Sequence, residues 1–119
     1  MTGRFLDEMD GLLPWRLLAQ VVEPHCSFLR AREPRVSTEA MLRIHFLRQW
    51  LELTPAATEA TLKEVEHCRR FARLRSPDSE VPDKVSIRQF QRVVDRQGLT
   101  AEMLLQLLRK AARPARRST

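Results

Sequence analysis

Cysteine is scarce in this chain: Cys26 and Cys68 are the only two in 119 residues. Two cysteines cannot build the disulfide framework of a small secreted scaffold, so free thiols in a reducing compartment are expected. Long apolar runs are also missing. None approaches the roughly 18 residues of a membrane span, and no membrane partner is expected. The N-terminal "MTGRFLDEMDGLLPW" lacks the positive lead of a secretory signal, since Asp7, Glu8 and Asp10 precede Leu12 and Leu13. A cytoplasmic location follows, nucleoid-associated if the chain binds DNA. No stretch alternates apolar and polar residues as a half-buried strand would, and no segment repeats. Lysine is rare, with Lys63, Lys84 and Lys110 the only ones among 21 basic residues.

What remains is arginine and helix. Hydrophobic residues make up 43% and charged residues 30%, a globular balance, and the length suits one domain. The net charge of +6 is unevenly spread: residues 1–66 carry a net −2 and residues 67–119 a net +8. Such asymmetry suggests a nucleic-acid face in the second half. "PWRLLAQVVEP" reads as a helix opened by Pro14 and closed by Pro24, with Leu17, Leu18, Val21 and Val22 inward. "HCSFLRAREPRV" reads as a loop. In "STEAMLRIHFLRQWLEL", Ser37 can cap a helix whose apolar residues Met41, Leu42, Ile44, Phe46, Leu47, Trp50 and Leu51 cover much of its circumference. It should therefore be the central core helix. Thr54-Pro55 starts a short helix to about Val65, with Leu62 inward, and "HCRRFARL" follows, pinned by Phe71 and Leu74. Thr100 is the expected cap of a last helix bearing Met103, Leu104, Leu105, Leu107 and Leu108. The expectation is an all-α, compact multi-helix domain over residues 1–110. Residues 111–119 form a basic tail expected to be disordered.

The most informative stretch is "VPDKVSIRQFQRVVDRQG", residues 81–98. Helical spacing stacks Lys84, Arg88, Arg92 and Arg96 in one line, with Ile87, Phe90, Val93 and Val94 opposite. Ser86 with Gln89 can form a capping box, Asp83 is an alternative cap, and Gly98 is the stop. Like charges four apart repel. Either the row is merely solvated, or something anionic lies against it. A short basic helix, a turn and then a capped basic helix fit a helix-turn-helix reader. There the second helix enters the major groove N-terminus first. Lys84, Ser86, Arg88 and Gln89 would then lie nearest the bases, since arginine and glutamine can make bidentate contacts to base edges. Arg92 and Arg96 suit phosphates, and Arg69, Arg70 and Arg73 would touch the backbone from the preceding helix.

Four blocks, "FLDEMDGLLPWRLLAQVVEPH", "MLRIHFLRQWLELT", "CRRFARL" and "VPDKVSIRQFQRVVDRQGL", appear in an order similar to one known domain. Together they resemble the N-terminal domain of bacterial transposases of the insertion sequence five family, the InsH type, over nearly all of residues 5–105. "MLRIHFLRQW" and the Pro82-Asp83…Ile87…Phe90 pattern carry most of that resemblance. It implies a helical domain that recognises the inverted repeats at the ends of a mobile element, with Arg88, Phe90 and their neighbours on the DNA-facing helix. It also implies a following ribonuclease-H-like domain whose Asp, Asp and Glu bind a pair of Mg²⁺ ions. The sequence shows no strand-borne Asp for such a site. The chain is thus expected to be a truncated or split transposase that is not an enzyme by itself. Its partners would be double-stranded DNA and a second copy or a full-length transposase, with no small-molecule substrate.

Rival readings rest on fewer residues. His25-Cys26 and His67-Cys68 invite a zinc site, but adjacent side chains diverge, whereas paired zinc ligands are normally about two to four residues apart. No metal and no cofactor are expected, and neither cysteine has the base and orienting group of a nucleophile. His45 reads as a core histidine, and Trp15 and Trp50 as core anchors. The leucines at 103–108 suit either a dimer face or a surface against a further domain. The alternative function is a helical protein-interaction module whose basic face meets an acidic partner without DNA binding. A membrane-surface role for the basic C-terminal segment is a third reading.

Overall fold

The computed structural model describes residues 2–31, 35–75 and 80–112. Among these are seven α-helices and no strand, so the all-α expectation holds. They are α1 (Thr2–Leu12), α2 (Trp15–Val22), α3 (Thr38–Leu51), α4 (Pro55–Glu64), α5 (Glu66–Phe71), α6 (Lys84–Arg96) and α7 (Leu99–Ala112). The stretch after α2, expected to be a plain loop, winds into two 3₁₀ turns, Glu23–His25 and Ser27–Ala31. Cys26 and Leu29 explain the winding, because both are buried there.

α3 is the central element. Met41, Leu42, Ile44 and Leu47 are fully or almost fully buried, while Phe46, Trp50 and Leu51 are partly covered. The Ser37 hydroxyl accepts from the Ala40 amide at 3.0 Å, and Thr54 caps α4 by accepting from Ala57 at 3.0 Å. Both caps fill backbone donors that a helix start leaves unpaired. α2 packs on α3 and α7, and α1 lies against α5. The α1–α5 approach is close at Gly3, where an added Cβ would stand 2.9 Å from the His67 ring.

Trp15 and Trp50 sit in an edge-to-face cluster with Phe5, Phe46 and Phe71, at centroid separations of 5.1 to 6.4 Å. That is the geometry aromatic quadrupoles favour. At its edge lies Arg43, only 3% exposed. Its guanidinium reaches Asp10 at 2.6 Å, Glu39 at 3.1 Å and the Phe71 carbonyl at 3.0 Å. It also stands 4.7 Å from the centre of the Trp15 ring. One arginine thus joins α1, α3 and the end of α5. Cys26 and Cys68 are buried thiols, and burial pushes both above the ordinary thiol range, Cys26 to about 11 with help from Glu23.

Three sequence expectations need correction. The cap of α6 is Asp83, which accepts from the Ser86 amide at 2.8 Å, so Ser86 is a first-turn residue. α7 begins at Leu99, directly after the Gly98 turn, which places Thr100 inside its first turn. α7 also runs to Ala112, past the expected boundary at 110. The remainder of the expected tail, residues 113–119, lies outside the described residues. No helix among the described residues is long and apolar enough to cross a membrane.

Candidate nucleic-acid interface

α6 is held so that one face is fixed and the other is bare. Ile87, Phe90 and Val94 are at most 3% exposed and pack inward. Its main neighbours are α4, α7 and α3, rather than the α5 paired with it in the sequence reading. Pro82, just ahead of the helix, is fully buried and anchors the entry. Two carboxylates then hold the first turn. Asp83 takes the Ser86 amide, and Glu59 of α4 accepts the Lys84 amide at 2.9 Å. A hydrogen bond from Lys63 holds Glu59 below the usual carboxylate range, with the Lys84 amide acting the same way. On the flank, Gln91 accepts from Arg48 and Gln49 of α3 and donates to Asp95 at 3.0 Å.

The outer face carries Lys84, Val85, Arg88, Gln89, Arg92 and Arg96, all exposed. Val85, Arg88, Gln89, Arg92, Val93 and Arg96 border a trough of about 280 Å³ along the helix. Arg88, Arg92 and Arg96 have no ion-pair partner among the described residues. Ser86 is half-buried and sits toward the flank, away from the centre of the face.

The arginines of α5 are placed differently. Arg69 donates to the carbonyls of Leu62 and Lys63, each at 2.9 Å, and closes the C-terminal end of α4. Arg73 pairs with Asp10 at 2.9 Å, and Arg70 lies 3.5 Å from the His67 ring nitrogen. His67 in turn faces Asp7 at 3.2 Å. These three side chains are engaged within the protein, so of the two helices it is α6 that presents a row of arginines without an ion pair among the described residues.

Other cavities have a different character. A cleft of about 580 Å³ beside the 3₁₀ turns mixes Arg16, Arg30 and Arg35 with Glu23 and Glu39. A groove of about 440 Å³ between α3, α6 and α7 is lined by Phe46, Trp50, Met103 and Leu107, with His45 and Asp95 at its polar side. Burial and the nearby Arg48 hold His45 down to about 4, against the opposing pull of Asp95. No group of three or more His, Cys, Asp or Glu side chains suited to a metal occurs among the described residues.

The model of one protein family, the transposase domain family DUF772, matches residues 2–93. That span runs from α1 through most of α6 and stops before α7. No solved structure matches the chain.

Proposed function

Because the chain belongs to the transposase domain family DUF772, and the match spans 92 of its 119 residues, we propose that it is the DNA-recognition module of a transposase. The observation that carries this reading is the unpaired row Arg88, Arg92 and Arg96 on an anchored helix. The duplex phosphates are the matching anion, and α6 is the element that lies in or along the major groove. Its inverted-repeat target is the end of the mobile element. Cutting and joining are left to a separate catalytic domain with the Asp-Asp-Glu set.

The carboxylates at the head of α6 shape how it docks. Asp83 and Glu59 already fill the amides that could have held a phosphate, and they repel one there. Phosphate contact therefore moves along the helix to Arg92 and Arg96. Arg88 and Gln89, about one turn in, take the base edges: arginine to guanine, glutamine to adenine. Val85, 59% exposed between them, suits a thymine methyl group. Lys84 adds charge at the rim. Ser86 contributes least, and Arg69, Arg70 and Arg73 act mainly by holding α4, α5 and α1 in place.

The test is a titration of labelled duplex at several salt concentrations, with Arg92→Ala/Arg96→Ala beside the native chain. Each lost phosphate contact should reduce the log–log slope by about 0.9, so the double variant should lose about 1.8. Arg88→Ala should instead flatten the preference among sequences. Equal slopes for native chain and double variant would overturn the placement on α6. No preference for inverted-repeat ends over random duplex would remove end recognition.

A further inference from the structure

α7 turns Leu99 and Met103 inward, and leaves Leu104, Leu105 and Leu108 at 55%, 41% and 58% exposure. Leucines that far into water on one helix face are an unpartnered surface. Ala101, Ala111 and Ala112 are exposed beside them. Along the helix the seam reads Ala101, Leu105, Leu108, Ala112, at spacings of four, three and four. That is the seam spacing of a coiled coil, and it is palindromic in size: small, large, large, small. Run against itself in the opposite direction, each Leu105 meets Leu108 of the other copy, and Ala101 meets Ala112.

The charges select that same arrangement. Glu102 and Arg109 are seven residues apart, so both lie on one edge of the seam, near its two ends. In an antiparallel pair, equivalent edges of the two helices face each other. With Leu105 set against Leu108 of the other copy, Glu102 falls opposite Arg109 of that copy, and the pair occurs twice by symmetry. A parallel pair would keep Glu102 and Arg109 about two turns apart. From this self-complementarity we infer that the outer face of α7 is an isologous, two-fold docking surface for a second copy of this chain.

The area sets the strength. A helix of 14 residues is about 21 Å long, so its face covers a few hundred Å². A standard interface covers about 800 Å² per partner. The pair is therefore weak and concentration-dependent. It needs no DNA, so it and the proposed DNA contact fail separately.

The test is sedimentation velocity of the full chain from micromolar to near-millimolar concentration at low salt, with thermal melts confirming that each variant folds. The expected result is a monomer–dimer equilibrium. Leu105→Glu should raise the dimer Kd by about tenfold or more, through loss of central apolar contact and like charges on either side of the two-fold axis. Glu102→Arg or Arg109→Glu alone should weaken the pair about fivefold, and the two together should restore it. A monomer throughout would overturn the inference. So would a dimer indifferent to Leu105→Glu, or one that the paired reversal fails to restore.

Discussion

Replacing Arg43 by methionine keeps the length of the side chain's stem and removes the guanidinium from the junction of α1, α3 and α5. Its hydrogen bonds involve a charged donor, a class worth about 1.5–3 kcal/mol each when lost. The approach to Trp15 at 4.7 Å adds about 0.5–2 kcal/mol. These do not simply add, because both carboxylates can rehydrate: Asp10 is 35% exposed and Glu39 36%. Asp10 also keeps Arg73 at 2.9 Å. The Phe71 carbonyl has less recourse, and an unpaired buried acceptor costs about 1–3 kcal/mol. After the discount for solvent, Arg43→Met should destabilise the fold by about 3 kcal/mol, lowering Tm by about 10 °C. Arg73→Met is the comparison, because Arg73 is 56% exposed and surface pairs are worth about 0–1 kcal/mol. Urea unfolding of native chain and both variants, followed by tryptophan fluorescence, reads the difference directly. Buried ion pairs can be no better than apolar packing of the same volume. If Arg43→Met costs no more than Arg73→Met, the guanidinium is dispensable and the reasoning fails.

His45 stays neutral in the fold down to about pH 4, while the unfolded chain takes up its proton near 6.5. The unfolded state therefore binds the extra proton between those values, and stability falls by up to about 3 kcal/mol as pH drops from 6.5 to 4. In His45→Leu that dependence should largely disappear from urea midpoints measured across the same range, and an unchanged slope would count against burial as its cause. Asp83→Ala should cost about 1 kcal/mol through loss of the α6 cap, and Ser86→Ala much less; urea midpoints in the reverse order would return the cap to Ser86.

The legible parts of the fold were those decided within a few residues. Ser37, Thr54-Pro55 and Gly98 each act on amides or carbonyls within one turn, so their roles show in the sequence. The head of α6 was harder for a local reason. Asp83 and Ser86 are both good caps three residues apart, and the choice between them depends on buried Pro82 and on Glu59, 25 residues from Lys84. α1 is faint in the sequence because Gly3, Asp7, Glu8, Asp10 and Gly11 dilute its stripe, and Leu6 is an inward residue only once α5 lies against it. Arg43 is the clearest non-local case. In the sequence it is one more arginine on an amphipathic helix, and what buries it lies 33 and 28 residues away, at Asp10 and Phe71. The row on α6 was visible at once, being internal to one helix. Which arginines are free was not, because Arg69 and Arg73 find their acceptors only through the packing of α4 and α1.

The α6 row carries a cost within its own helix. Lys84–Arg88, Arg88–Arg92 and Arg92–Arg96 are like-charge pairs four apart, each unfavourable by about 0.2–0.5 kcal/mol, so the row costs the helix about 1 kcal/mol in all. Alternating glutamates would have made the same surface soluble and the helix more stable. The only acidic residue within α6 is Asp95, whose carboxylate accepts both of its hydrogen bonds from Gln91 at 3.0 Å. The repulsion is therefore not relieved by the helix itself. It is held in check by tertiary packing: Phe90 and Val94 buried beneath, Asp83 and Glu59 at the head, and the Arg48–Gln91 contact on the flank. A helix fixed on its inner face, head and flank loses little further freedom when a ligand arrives, which is the condition for tight use of few contacts. A polyanion lying along the free face would remove the repulsion and meet a row of charges that the fixed helix presents on one side.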